Sequence, residues 1–461
     1  MRTLLLTLLL LVPLTAFATE SASTDTGVLG IRSDQLDPAY WVKRLRHDDR
    51  IVLTHAQIDA QNQKLFTVDT SMHDMAKLPA ALDGSAVRKA ITDYQDAYDG
   101  RHALYDEHGK ALDMAALKQD TDASLNLDAI PAQVAPRFGL IVGRAELRSV
   151  PTALRVFDNS DDHDIDRFGE TALFPGTPVA VLHESADKNW YFVIAPNYQA
   201  WVRKEFVALG AREQVLAYGN AARHVVVLGA QVRTTFTPEE PRVSDLQLEM
   251  GLRLPLLDVP PRDDINGQDP YASYVVQLPV RNDDGTLAFA PALIPRSADV
   301  ADDYLPLTRA NLVKQAFKFL GERYGWAHGY GTRDCSGFAG EVYRSFGVQL
   351  PRNTGAQAIS PALNRLPIDK SMRHKQRLDL LKQIEPGDLI YIPGHVMLVI
   401  GHDGGNTWII NDVEGATWLD ASGERQHAHL NGVAVEPLEP LLTANGGSFV
   451  DIVSNIQRIR P

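Results

Sequence analysis

The sequence predicts a multidomain chain in which an α+β C-terminal domain follows two small β-barrels and a mostly helical N-terminal segment. Three observations lead there. The 461 residues are 44% hydrophobic and 22% charged, a globular composition at a length too great for one core. The apolar spacing changes along the chain, from intervals of three to four residues, to short β-rich runs, to a helical pattern followed by strands. Turn residues such as Pro175-Gly176 and Asp283-Asp284-Gly285 collect between the β-rich runs.

The first element is a leader. Arg2 precedes an apolar run at 4–14, broken only by Thr7 and Pro13, and Ala16-Phe17-Ala18 supplies small residues at cleavage spacing. Residues 1–18 therefore read as a secretory signal, which places the mature chain in the periplasm or cell envelope. No apolar stretch is long enough to hold the protein stably in a bilayer. Residues 27–137 are expected to be helical, from stripes such as Tyr40, Trp41, Leu45 and Met75, Leu78, Ala81, Leu82.

Residues 138–212 hold five short β-rich runs, among them Trp190-Tyr191-Phe192-Val193 and Gln199-Ala200-Trp201-Val202, and are expected to form the first barrel. Residues 215–302 repeat the theme with Val225-Val226-Val227-Leu228 and Tyr274-Val275-Val276-Gln277-Leu278, a second barrel. Residues 307–461 begin with an amphipathic helix introduced by Thr308 and ending at Gly321. A second helix runs from Cys335 through Phe338, Val342 and Phe346. Three strands follow, from Asp388, His395 and Thr407, with turns at Pro393-Gly394 and Asp403-Gly404-Gly405.

Chemistry concentrates in this last region. Cys335 is the only cysteine, so it forms no internal disulfide and no thiolate metal cluster. At a helix start, the macrodipole and free amide N–H groups favour a thiolate, and the same amides can receive an oxyanion. His395, opening the central strand, is the candidate base. A turn centred on Asp403 and Gly404 would set His395 opposite Asp412, give or take one residue. Asn411 and Asp412 are therefore both in reach as the group that orients the imidazole. Asn411 is preferred because it shares a strand face with Thr407 and Ile409. His402 reads as an exposed turn residue and His328 as a loop residue near the cleft. These histidines lack metal-ligand spacing, so neither metal nor cofactor is expected. The net charge of −13 argues against nucleic acid as a partner.

Five blocks in order, Tyr324-Gly325-Trp326, Asp334-Cys335-Ser336-Gly337-Phe338, Leu350-Pro351-Arg352-Asn353-Thr354, Pro386-Gly387-Asp388-Leu389 and Gly394-His395-Val396-Met397-Leu398, resemble the motifs of the NlpC/P60 cell-wall cysteine peptidases. The upstream regions resemble members with a helical N-terminal segment and two bacterial SH3 domains. The resemblance implies a papain-like α+β fold in the last domain and hydrolysis of the γ-D-glutamyl–diamino acid bond of peptidoglycan or muropeptides, by a monomer. It assigns Cys335 as nucleophile, His395 as base, Asn411 as orienting residue, Tyr324 near the oxyanion and Ser336 in the substrate groove. Asn353 stands where relatives that bind a free L-alanine amine often have Asp, and Tyr198 of the first barrel is expected at the same pocket. Two other activities fit the same machinery or its loss: an amidase cutting the glycan–peptide link, and a wall-binding protein without catalysis.

Overall fold

The computed structural model describes residues 25–93, 103–260 and 263–460. The signal segment expected at 1–18 lies outside them. No helix among the described residues is long and apolar enough to cross a membrane.

The N-terminal region is a clasp of separate short helices. Pro38–Val42, His55–Val68, Gly84–Thr92 and Met114–Ser124 are capped by Asp37, Thr54, Asp83 and Asp113 side chains. The expected helical stripe at Met75, Leu78, Ala81 and Leu82 is turn and loop, with a two-residue strand at Leu82–Asp83. Pro79 in its centre removes an amide donor and blocks a helix there. The clasp grips the C-terminal domain. Trp41 packs against Trp408 at 5.1 Å between ring centroids, and the Tyr40 hydroxyl donates to Asp403 at 2.8 Å. Asn62 pairs with the backbone at Gly347 and Gln349.

The β-rich runs after residue 137 form one seven-stranded sheet spanning Arg137–Ile141 to Val207–Leu209. It includes two strands that the spacing missed, Gly169–Leu173 and Val207–Leu209. Polar Glu170 and Thr171 hid the first. Val181, Val193 and Val202 pack together on one face of the sheet, while Phe192 and Trp201 on the other face pack with Val87 and Ile91 of the N-terminal region. The second unit differs from the expected barrel. Its strands divide into a three-stranded sheet and two two-stranded sheets around a shared apolar core that includes Val225, Val276 and Leu278.

The C-terminal domain is a six-stranded antiparallel sheet with the Cys335–Arg344 helix laid across it. The strands run in the order Asn364–Pro367, Asn455–Arg458, Leu389–Ile392, His395–Asp403, Asn406–Leu419 and Arg425–Pro437. Phe338, Val342 and Tyr343 on the helix share a core with Val396, Leu398 and Ile410 on the sheet. The spacing found only the three central strands. Arg425–Pro437 alternates polar and small residues along an edge, where one face meets solvent and little apolar signal is needed.

Candidate active site

Cys335 is the first residue of its helix. The Asp334 side chain caps that helix by accepting the Gly337 amide at 2.9 Å. The amides of Cys335 and Ser336 have no carbonyl one turn back, so they face outward beside the thiol. Gly337 is required, because a Cβ there would lie 2.7 Å from the His328 ring. The thiol does not face solvent. It is only 5% exposed and meets the Thr354 hydroxyl at 3.7 Å and the backbone of Val396, the residue after His395. Burial and the Asp334 carboxylate push it up to about 11. The dipole argument for a standing thiolate is thus outweighed: the resting group is a thiol that must hand over its proton.

His395 receives a fixed orientation. Its Nε2 lies 2.7 Å from Asn411 Oδ1, and Asn411 Nδ2 donates to Glu436 Oε2 at 2.9 Å. With the amide nitrogen committed to a carboxylate, Oδ1 must face the imidazole, so Nε2 carries the hydrogen and Nδ1 keeps a free lone pair. Burial pulls the His395 pKa below its ordinary value, leaving a neutral ring at pH 7. The register behind this pairing was misplaced by the turn argument. Asp403 pairs with Asn406, so the turn centres on Gly404-Gly405, and a bulge between Val399 and Gly401 shifts the ladder by one residue. The structure brings His395 and Asn411 together. Asp412, on the opposite face, does not join them. Glu436 was missed altogether, lying in a strand without apolar periodicity.

Asp412 is fully buried with no hydrogen-bond partner for either carboxylate oxygen among the described residues. It pairs with Val433, whose amide bonds the Glu322 carbonyl, so it sits beside the stretch leading to Tyr324. Burial, then the charges of Asp334 and Cys335, raise it to about 9. Tyr324 is raised above the ordinary tyrosine range by burial and by Cys335, Asp334 and Asp412, which places its ring among them. A carboxyl raised on folding costs nothing below its unfolded value and progressively more as pH rises toward 9. Asp412→Asn is therefore expected to gain stability over wild type steadily from pH 4 to pH 9 in urea denaturation. A difference that stays flat across that range would show that Asp412 is ionised in the fold.

Arg352 ties this centre to the first barrel. Its guanidinium, buried on all sides, donates to both Asp334 oxygens at 2.7 and 3.1 Å, to Ser336 Oγ at 2.8 Å and to Thr171 Oγ1 at 2.5 Å. It also meets His328 Nδ1 at 2.9 Å, while His328 Nε2 reaches Glu341 at 3.2 Å. His328 is thus a buried link in the network; burial and Arg352 lower it to about 4, so it stays neutral. Ser336 is 5% exposed and held by Asp334 and Arg352. A cavity of about 220 Å³ lies between the barrel and the Cys335 helix. It touches Ser336 and Gly337 but not Cys335, His395 or Asn411, so it adjoins the centre.

Tyr198 packs in the barrel core and directs its hydroxyl to Glu170, a carboxyl raised to about 7 by burial despite Tyr198 and Arg352 nearby. Asn353 is not part of this wall: it is exposed and makes no capping hydrogen bond at the start of the Thr354–Ile359 helix. The acid near Tyr198 is Glu170, invisible in the sequence because its partners come from other elements.

Comparison with known proteins bears on this geometry. A family model described as NlpC/P60 family matches residues 321–430, and one described as SH3 domain (SH3b1 type) matches residues 155–203. The chain is 36% identical over 229 residues to a Gamma-D-glutamyl-L-lysine dipeptidyl-peptidase of Bacillus cereus, covering 46% of this chain and 59% of that protein. It is 35% identical over 97 residues to a Listeria welshimeri protein named "Probable endopeptidase p60", covering 20% of this chain and 16% of that one. The chain thus spans less than two thirds of either relative. The solved structure of an NlpC/P60 endopeptidase from Photobacterium damselae subsp. piscicida superposes with a TM-score of 0.72 at 18% identity, covering 91% of this chain and 96% of that one, and shares its fold.

Proposed function

We propose that this chain, which carries an NlpC/P60 domain and an SH3b domain, is a peptidoglycan stem-peptide hydrolase acting outside the cytoplasm. It would cut the γ-D-glutamyl–diamino acid bond with Cys335, His395 and Asn411. The observation that carries the reading is the imidazole held at 2.7 Å by Asn411 on the strand whose next residue touches the Cys335 thiol. His395 Nδ1 takes the thiol proton as Sγ attacks the carbonyl carbon, and the oxyanion is received by the free amides of the helix start, beside Tyr324. Collapse expels the diamino acid amine, which takes the proton back from His395 and leaves a thioester. Water, deprotonated by His395, then releases the γ-glutamyl acid and restores the thiol. The Bacillus cereus relative, named for a γ-D-glutamyl-L-lysine bond, supports the bond assignment. Digestion of defined muropeptides with mass spectrometry of the new termini tests it. Release of intact stem peptides from N-acetylmuramic acid would instead establish an amidase.

Glu170 and Tyr198 supply the second part of the reading. A raised carboxyl paired with a phenol beside the site suits the ammonium of an N-terminal L-alanine, the charge that Asn353 does not offer. A stem peptide with a free amine is expected to be cut faster than one still joined to N-acetylmuramic acid. The preference should be largest above pH 7, where Glu170 is ionised. Tyr198→Ala and Glu170→Gln should each narrow the ratio by roughly 1–3 kcal/mol. Equal rates on both substrates, unaltered in the variants, would show that the barrel does not bound the site.

A further inference from the structure

Glu436 is a buried carboxyl that the reaction above does not use. It is 1% exposed, on the edge strand Arg425–Pro437, one strand from Asn411 and two from His395. Oε2 accepts the Asn411 amide at 2.9 Å, and Oε1 has no partner among the described residues. An asparagine amide can turn over, and an Asn411 turned over would present NH₂ to His395 Nε2–H, donor against donor. Only an acceptor fixed on the far side prevents it. We propose that Glu436 is a positioning residue: through Asn411 it fixes the imidazole and supports the imidazolium formed when the Cys335 proton moves to His395 Nδ1. The proposal rests on the Cys335–His395 reading above. Burial raises Glu436 to about 7 against the opposing influence of Asn411 and His395. Its carboxylate, and with it the support for imidazolium, is gained as pH rises through neutrality.

Two measurements test this. Hydrolysis of a stem peptide is followed from pH 5.5 to 8.5, and so is alkylation of the sole thiol by iodoacetamide, in which Sγ displaces iodide. Wild type should show an inflection near pH 7 in both. Glu436→Gln should match wild type at pH 5.5 and fall to about a tenth of it at pH 8.5, the equivalent of one pKa unit of imidazolium stabilisation, in kcat with KM unchanged. In an Asn411→Ala background the same substitution should add nothing. Unaltered pH profiles in Glu436→Gln would overturn the proposal. Should glutamine at 436 prevent folding, persistence of the inflection in Asn411→Ala would overturn it instead. If wild type cuts no stem peptide but the alkylation inflection is present and lost in Glu436→Gln, the positioning role stands and the substrate reading falls.

Discussion

Cys335→Ala is expected to abolish hydrolysis, with a fall on the order of 10⁴–10⁶-fold, because the covalent step has no substitute nucleophile in a chain with one cysteine. His395→Ala should be almost as damaging, since the thiol stands near 11 and is neutral without a base to take its proton. The two losses should not add, because both remove the same step. Fold is the necessary control. The thiol is buried among Phe338 and Val396, so removing it leaves a small void worth about 1 kcal/mol at most. Turnover of muropeptides by mass spectrometry, beside thermal unfolding of the same samples, reads both effects. Wild-type turnover by the alanine variant would sink the cysteine-peptidase reading.

Arg352→Met is expected to produce the largest loss of stability, about 3–5 kcal/mol, since it strands a buried carboxylate. Although burial works against it, Asp334 is held well below the usual carboxylate range chiefly by Arg352, with His328 and the Gly337 amide contributing. A depressed carboxylate contributes stability that is present above its unfolded value and lost as pH falls toward the folded one. Wild type should therefore weaken in acid below about pH 4, and Arg352→Met should lose part of that acid sensitivity along with its stability. Activity should fall too, because the same carboxylate caps the Cys335 helix and the same guanidinium bonds Thr171 of the barrel. Urea midpoints at pH 7 and at about pH 2.5, inside the range where Asp334 takes up its proton, measure the effect. A change under 1 kcal/mol at pH 7 would show that the pair is solvated.

Local pattern carried much of the plan. The Cys335 helix was legible because its cap, glycine and apolar positions are neighbours in the chain, and the central strands because turn residues bracket them. The failures came where partners are far apart. The count along the hairpin started one residue early, at Asp403-Gly404 in place of Gly404-Gly405, and a bulge between Val399 and Gly401 shifted the ladder again, since register depends on every residue between turn and site. Asn411 remained the nearer choice because strand faces alternate whatever the register. The helical stripe at 75–82 failed to a single proline.

From its own residues the chain determines the presence of one thiol-bearing helix start, a histidine opening a strand and an asparagine on the strand that follows. These follow from spacing, capping and alternation, which act within a few residues. Only the tertiary structure decides the charge states. Burial by distant segments turns a thiolate expected from the helix dipole into a thiol and keeps Asp412 protonated. It also sets Glu436 behind Asn411 and Glu170 behind Tyr198. The reason is physical: desolvation and long-range charge depend on which elements pack together, and that information is spread over the whole fold rather than written beside the residue it governs.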